Sequence, residues 1–203
     1  MKNPQMDRES WLTEAAQFIL DDIIAPHYPT QIDRPYRISI GFPSGKPSKV
    51  LAQCWKSEAS ADNTNEIFVS PTVEDSTEIL AALTHELIHY TDNNASGHKN
   101  HFAKLAREVG LAGKLTATTA GPELSDKLTT IIDLLGNIPH AALDASRSGK
   151  KKQGTRMLKI ECTVCTFAFR ATQTQIDKLP TSYGETLADC PACGRSETLT
   201  VAA

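Results

Sequence analysis

His85-Glu86-Leu87-Ile88-His89 holds reactive side chains at a spacing that a helix would make useful. Two histidines four positions apart lie one turn apart on one helix face, so both can bind one ion. A glutamate directly after the first stands beside that ion, where it can act as a base toward a bound water. The pair needs a third ligand. The pattern with glycine three and histidine six positions after His89 is absent, because Asp92 and Ala95 stand there. His98, His101 and Glu108 are the candidates. On a helix from about Lys99, His98 shares the apolar face of Phe102, Leu105 and Val109, which must pack inward. His101 and Glu108 fall roughly 60–80° away on an ideal helix. His98 is therefore best aimed, with Glu108 and His101 as alternatives.

A second set follows downstream. Cys162 and Cys165, and again Cys190 and Cys193, form two C-x-x-C pairs. Thiolates in such paired knuckles bind zinc in closed, structural Cys₄ sites. Gly194 suits the turn of the second knuckle, whereas Thr166 stands at the matching place in the first. The fifth cysteine, Cys54, lies in an apolar run and reads as a small buried strand residue.

These residues need elements to position them. Apolar spacing predicts a helix over Arg8–Ile24, stopped by Pro26. Arg37–Gly41, Lys49–Trp55 and Glu66–Ser70 read as strands. A long helix is expected from Ser76, as N-cap, to Tyr90, with an apolar stripe of Ile79, Leu83 and Leu87. His85 and His89 fall together off that stripe, on a face that need not be core. Further helices are expected over Lys99–Val109, ended by Gly110, and over Glu123–Leu135. Short strands at Met157–Ile160, Phe167–Arg170 and Thr198–Val201 flank the cysteines. Phe167 and Phe169 read as core of that small module, and His27 and His140 as surface residues.

The chain has 203 residues and a net charge of −3, unevenly spread. Residues 1–96 carry net −7, residues 97–160 net +6, and residues 161–203 net −2. The basic middle includes Lys150, Lys151 and Lys152, candidates for phosphate contact. No apolar run approaches the ~18 residues of a membrane span, and no secretory h-region follows the N-terminal charges. A cytoplasmic protein without membrane contact is the expectation. The expected organisation is residues 1–143 as one domain with a trailing helix, 144–156 as a basic linker, and 157–203 as a Cys₄ ribbon. A module of under 50 residues needs a staple such as zinc.

Three features together are specific: a strand ending E-I-F-V-S-P, then T-H-E-L-I-H-Y, then G-H-x-x-x-F-x-x-L-A-x-x-x-G-L. This arrangement, over about residues 10–112, resembles the SprT-like (Spartan-type) metalloprotease domain. The resemblance implies an α+β zincin-like fold followed by a small β zinc ribbon. It implies His98, four residues before Phe102, as third ligand with His85 and His89, and Glu86 as general base. It also implies two zinc ions per chain, one catalytic and one structural. The activity implied is endopeptidase action on DNA-associated proteins, with a protein substrate and DNA as a possible partner. The rival expectation is a nucleic-acid or transcription-associated binding protein whose ribbon does the work and whose first half is scaffold.

The basic middle makes a testable claim. Neutralising Lys150, Lys151 and Lys152 should shrink the slope of log K against log salt by up to about 0.9 per lost contact on duplex DNA. Filter binding across a salt series reads this, and an unchanged slope places the contact elsewhere.

Overall fold

The computed structural model describes residues 6–44, 50–147, 157–178, 189–196 and 198–201. The chain is α+β and divides into two compact units, Met1–Ser148 and Gly149–Ala203. Lys150, Lys151 and Lys152 lie outside the described residues.

In the first unit, α1 (Arg8–Phe18) starts at Asp7, whose carboxylate accepts the Ser10 N–H at 2.7 Å. Its continuation, Ile19–Ile24, winds more widely, with the Ala25 N–H reaching back five residues to the Leu20 carbonyl. The extra residue per turn lets Ile19, Ile23 and Ile24 all enter the core. Periodicity predicts the length of this segment but not its change of winding. The Trp11 indole N–H, buried with its ring, donates to the Gly136 carbonyl at 3.0 Å.

Strands β1 (Tyr36–Ile40), β2 (Ala52–Trp55) and β3 (Asn65–Val69) form a sheet with β3 in the centre. β1 runs parallel to β3 and β2 antiparallel, with Cys54 opposite Ile67. Ile38, Cys54, Ile67 and Val69 point into the core by the two-residue alternation of a half-buried sheet.

Helix α2 (Ser76–Thr91) is the axis of the unit. Its N-cap is Asp75, one residue before the expected Ser76, and the Asp75 carboxylate accepts the Glu78 N–H. Ser76 instead donates to Asn137 Oδ1 and accepts the Ile138 N–H, tying the helix start to a distant loop. From Ile79 to Thr91 every residue but Ala82 is buried, the histidine face included. The histidine face, which the apolar stripe leaves free to face solvent, is thus enclosed by the rest of the unit. α3 (Asn100–Glu108) and a hairpin, β4 (Leu111–Lys114) with β5 (Ala117–Ala120), pack on α2. The hairpin has no hydrophobic alternation to announce it.

The chain leaves α2 by a sharp reversal. Asn93 and Asn94 hold consecutive positive φ angles of 56° and 63°, a conformation asparagine tolerates better than most residues. Arg34 donates to the carbonyls of Tyr90 and Thr91, placing a cation at the negative end of the helix. Tyr90 Oη returns a hydrogen bond to the Arg34 carbonyl at 2.7 Å. α3 ends at Gly110, whose φ of 95° favours glycine, and where an added Cβ would crowd Leu124 Cβ at 3.2 Å. α4 (Pro122–Leu135) closes the unit, with Pro122 in its first turn. His140 is not a bare surface residue: its Nε2 bonds the Pro71 carbonyl at 3.0 Å, and Arg8 reaches its Nδ1.

In the second unit, β6 (Leu158–Cys162) lies between β7 (Ala168–Ala171) and β8 (Leu199–Val201), all antiparallel. A one-turn helix, α5 (Gln173–Ile176), starts with a reciprocal Thr172–Gln175 capping box. Ile160, Ala171, Ile176 and Leu199 are buried with Cys162 and Cys190, and Phe167 and Phe169 pack on them half-exposed. So small a core cannot stand by hydrophobic burial alone. Among the described residues, no helix is long and apolar enough to cross a membrane.

Both tryptophans, Trp11 and Trp55, lie in the first unit, so their emission reports its unfolding alone. Arg34→Met keeps the apolar stem but removes the charge and donors at the end of α2. It should destabilise this unit by about 1.5–3 kcal/mol, the range for hydrogen bonds to charged groups. Urea titration followed by tryptophan emission measures the change.

Candidate metal centres

Successive turns of α2 and a loop residue two positions before α3 bring three imidazoles together. His98 Nε2 lies 3.2 Å from His85 Nε2 and 3.3 Å from His89 Nε2. For a tetrahedral ion with nitrogen ligands at about 2.05 Å, ligand atoms stand about 3.3 Å apart. The site fits such an ion. Burial, with mutual repulsion among the histidines, pushes the pKa of His85 down to about 3 and that of His89 to about 4. Burial also lowers His98. Neutral imidazoles are the form that binds metal.

Of the three candidates for third ligand, the structure brings only His98 to the pair. His101 turns away, its Nε2 bonding Thr91 Oγ1 at 2.8 Å and its ring meeting Tyr28. Glu108 lies half-exposed beside Lys104 on the outer side of α3. Phe102, fully buried, forms the floor: the His89 ring stacks on it at 4.2 Å, and the rings of His85 and His98 meet it edge-on.

Glu86 lines a cleft of about 340 Å³ with His85, walled by Val50–Ala52 on one side and Thr116–Thr119 on the other. Its Oε2 accepts the backbone N–H of Cys54 at 2.7 Å. Burial raises the Glu86 pKa to about 7, against the pull of that hydrogen bond. The Cys54 carbonyl is held too, because Asn94 Nδ2 donates to it at 2.7 Å. The backbone of one residue of β2 thus holds both the glutamate and the loop that delivers His98. The Cys54 thiol is buried, as expected, and pushed up to about 12 by burial and the nearby carboxylate. It is inert.

Sequence reading missed Thr118. Its Oγ1 lies 2.8 Å from His85 Nδ1, so the missed hairpin carries the residue that fixes this ring. A threonine in a polar stretch gives no signal until the hairpin is known.

The four cysteines also converge, with their sulfurs within 4.8 Å of one another. Cys162 and Cys193 sulfurs are 3.9 Å apart, and those of Cys165 and Cys190 3.5 Å. Tetrahedral thiolates at about 2.3 Å from an ion stand about 3.8 Å apart. The Thr198 hydroxyl at Cys162 Sγ lowers the pKa of that thiol, while desolvation and the neighbouring thiols raise that of Cys165. The knuckles are matched in backbone: Gly194 has φ 66° and Thr166 φ 62°. A β-branched residue there is strained, and the fold holds it nonetheless.

The sequence matches no protein-family model, and no curated protein or solved structure matches it.

The two centres should load independently. Elemental analysis should find two metal ions per chain, and one ion in folded, unstripped protein would remove one centre. Replacing Cys162 and Cys165 by serine should cost one ion and unfold the second unit only, because a structural ion supplies such a module's folding energy. Tryptophan emission should stay native while backbone NMR signals of the second unit collapse.

Proposed function

We propose that the chain is a zinc-dependent endopeptidase of SprT-like type, with a zincin-like first unit and a structural zinc ribbon. The observation that carries this reading is Glu86 beside three neutral histidines, with His98 Nε2 a tetrahedral ion's ligand spacing from both His85 and His89 Nε2. Imidazole nitrogens in an open site and four thiolates in a closed one are both donor sets that suit zinc.

A zinc ion held by His85, His89 and His98 would supply a Lewis acid that acidifies water and polarises a carbonyl. The other steps belong to the chain. Glu86 Oε2 is occupied by the Cys54 N–H, which leaves Oε1 to take the proton of the attacking water. The carboxyl then delivers that proton to the leaving amine as the peptide bond breaks. Its raised proton affinity suits both halves of this transfer, and a nearby cation restrains it. The cleft between Val50–Ala52 and Thr116–Thr119 would hold the substrate backbone. Action on DNA-associated proteins rests on the resemblance, and the basic segment before the ribbon is compatible with it.

Glu86→Gln should keep metal and fold but lower kcat by roughly 10²–10⁴-fold, the usual contribution of general acid–base catalysis. A protein substrate assayed with single-stranded, duplex or no DNA tests the activity and its DNA dependence together. Wild-type rates in the variant would refute the mechanism.

A further inference from the structure

The two buried metal ligands on α2 are supported unequally. His85 directs Nε2 at the metal position and bonds Thr118 through Nδ1. His89 also directs Nε2 inward, so its neutral ring carries the proton on Nδ1. That Nδ1 is buried and has no hydrogen-bond partner. The stacked Phe102 ring holds the imidazole plane, so His89 cannot swing to find one freely. The nearby Thr91 hydroxyl bonds the Ile88 carbonyl and His101 instead.

Three residues after His89 stands a group with the opposite need. Asp92 Oδ2 accepts the Ser96 N–H at 3.0 Å, but Asp92 Oδ1 is buried and receives nothing. Among the described residues, these are the only two buried side-chain atoms without a partner, one a donor and the other an acceptor. Asp92 is the C-cap of α2, about one helical turn beyond His89. We propose that Asp92 is the positioning residue of the histidine centre: its Oδ1 accepts the His89 Nδ1 proton, directly or through one buried water, when the three histidines hold a metal ion. This rests on the metalloprotease reading of that centre.

The chemistry gives the pair a purpose. A carboxylate on the far nitrogen fixes the tautomer and the ring orientation and makes the ligand nitrogen more basic. Thr118, a neutral hydroxyl, does only the first two for His85. The two ligands of one helix would then differ in donor strength, with His89 the stronger.

Asp92→Asn separates this role from loop capping. Asparagine offers one acceptor oxygen, so it can satisfy the Ser96 N–H or His89, not both, and its amide otherwise presents a donor to a donor. Full-length protein is titrated with Zn²⁺ against a chromophoric chelator, and with Co²⁺. The ligand-field bands of Co²⁺ at the histidine centre are distinct from the thiolate charge transfer of the ribbon. Asp92→Asn should bind the histidine-centre ion about 10–100-fold more weakly, the usual effect of losing such a partner. The ribbon ion should stay as in wild type, and so should the urea midpoint of the first unit measured with the histidine centre stripped by chelator. In zinc-loaded wild type, the His89 Nδ1 proton should resonate far downfield and exchange slowly, and both properties should be lost in Asp92→Asn. Thr118→Val should instead move the His85 signal and spare that of His89. Should Asp92→Asn fold poorly, the wild-type His89 signal still decides: a rapidly exchanging Nδ1 proton overturns the proposal. Equal affinity in wild type and Asp92→Asn also overturns it, leaving the protease reading intact. Wild type that loads only the ribbon overturns both.

Discussion

The first unit depends on one constraint: α2 runs through the middle of a core while carrying two histidines and a glutamate. A helix buried on all sides is ordinarily apolar all round. Here each buried polar atom must find a partner inside the protein or lose the hydrogen bond it had with water. The surrounding elements are arranged to supply those partners. β2 offers the Cys54 N–H to Glu86, β5 offers Thr118 to His85, and Arg34 closes the carbonyls at the helix end. The close-set Nε2 atoms have no such remedy, because three neutral rings cannot all donate to one another. A cation between them resolves that conflict.

Much of this was legible in the residues. The HExxH spacing, the apolar stripe of α2 and the inward face of the following helix suffice to bring His85, His89 and His98 toward one point. The C-x-x-C pairs did the same for the ribbon. What stayed hidden had no periodic signature. The hairpin Leu111–Ala120 is mostly exposed on both strands, so no alternation marks it, yet it walls the cleft and brings Thr118. The support that Cys54 gives Glu86 comes from its backbone, which the side chain cannot advertise. His140 was misread because its partners, Pro71 and Arg8, are remote in sequence.

The two units solve stability by different means. The first buries a broad apolar cluster from α1, α2, α3, α4 and the sheet. The second has a handful of buried side chains, and two of them, Cys162 and Cys190, belong to the cysteine cluster. Its core and its cysteine cluster overlap, whereas in the first unit the three histidines are set into a broad apolar core.

The asparagine reversal after α2 limits how such a chain can vary over evolutionary time. Asn93 is saturated by Ser57, Glu58 and Asn65, and Asn94 is bound to Cys54. Asp92 and Ser96 are joined by a further bond. The segment between the second and third histidines is therefore pinned almost from end to end, and His98 is reached by a path of fixed length. Gly97, with open space around it and φ 53°, is the one position there whose requirement is purely conformational. An insertion or deletion there would carry His98 away from His85 and His89, and exchange of Asp92, Asn93 or Asn94 would break the side-chain bonds that pin the path. Conserved length together with these three identities is the signature to expect there.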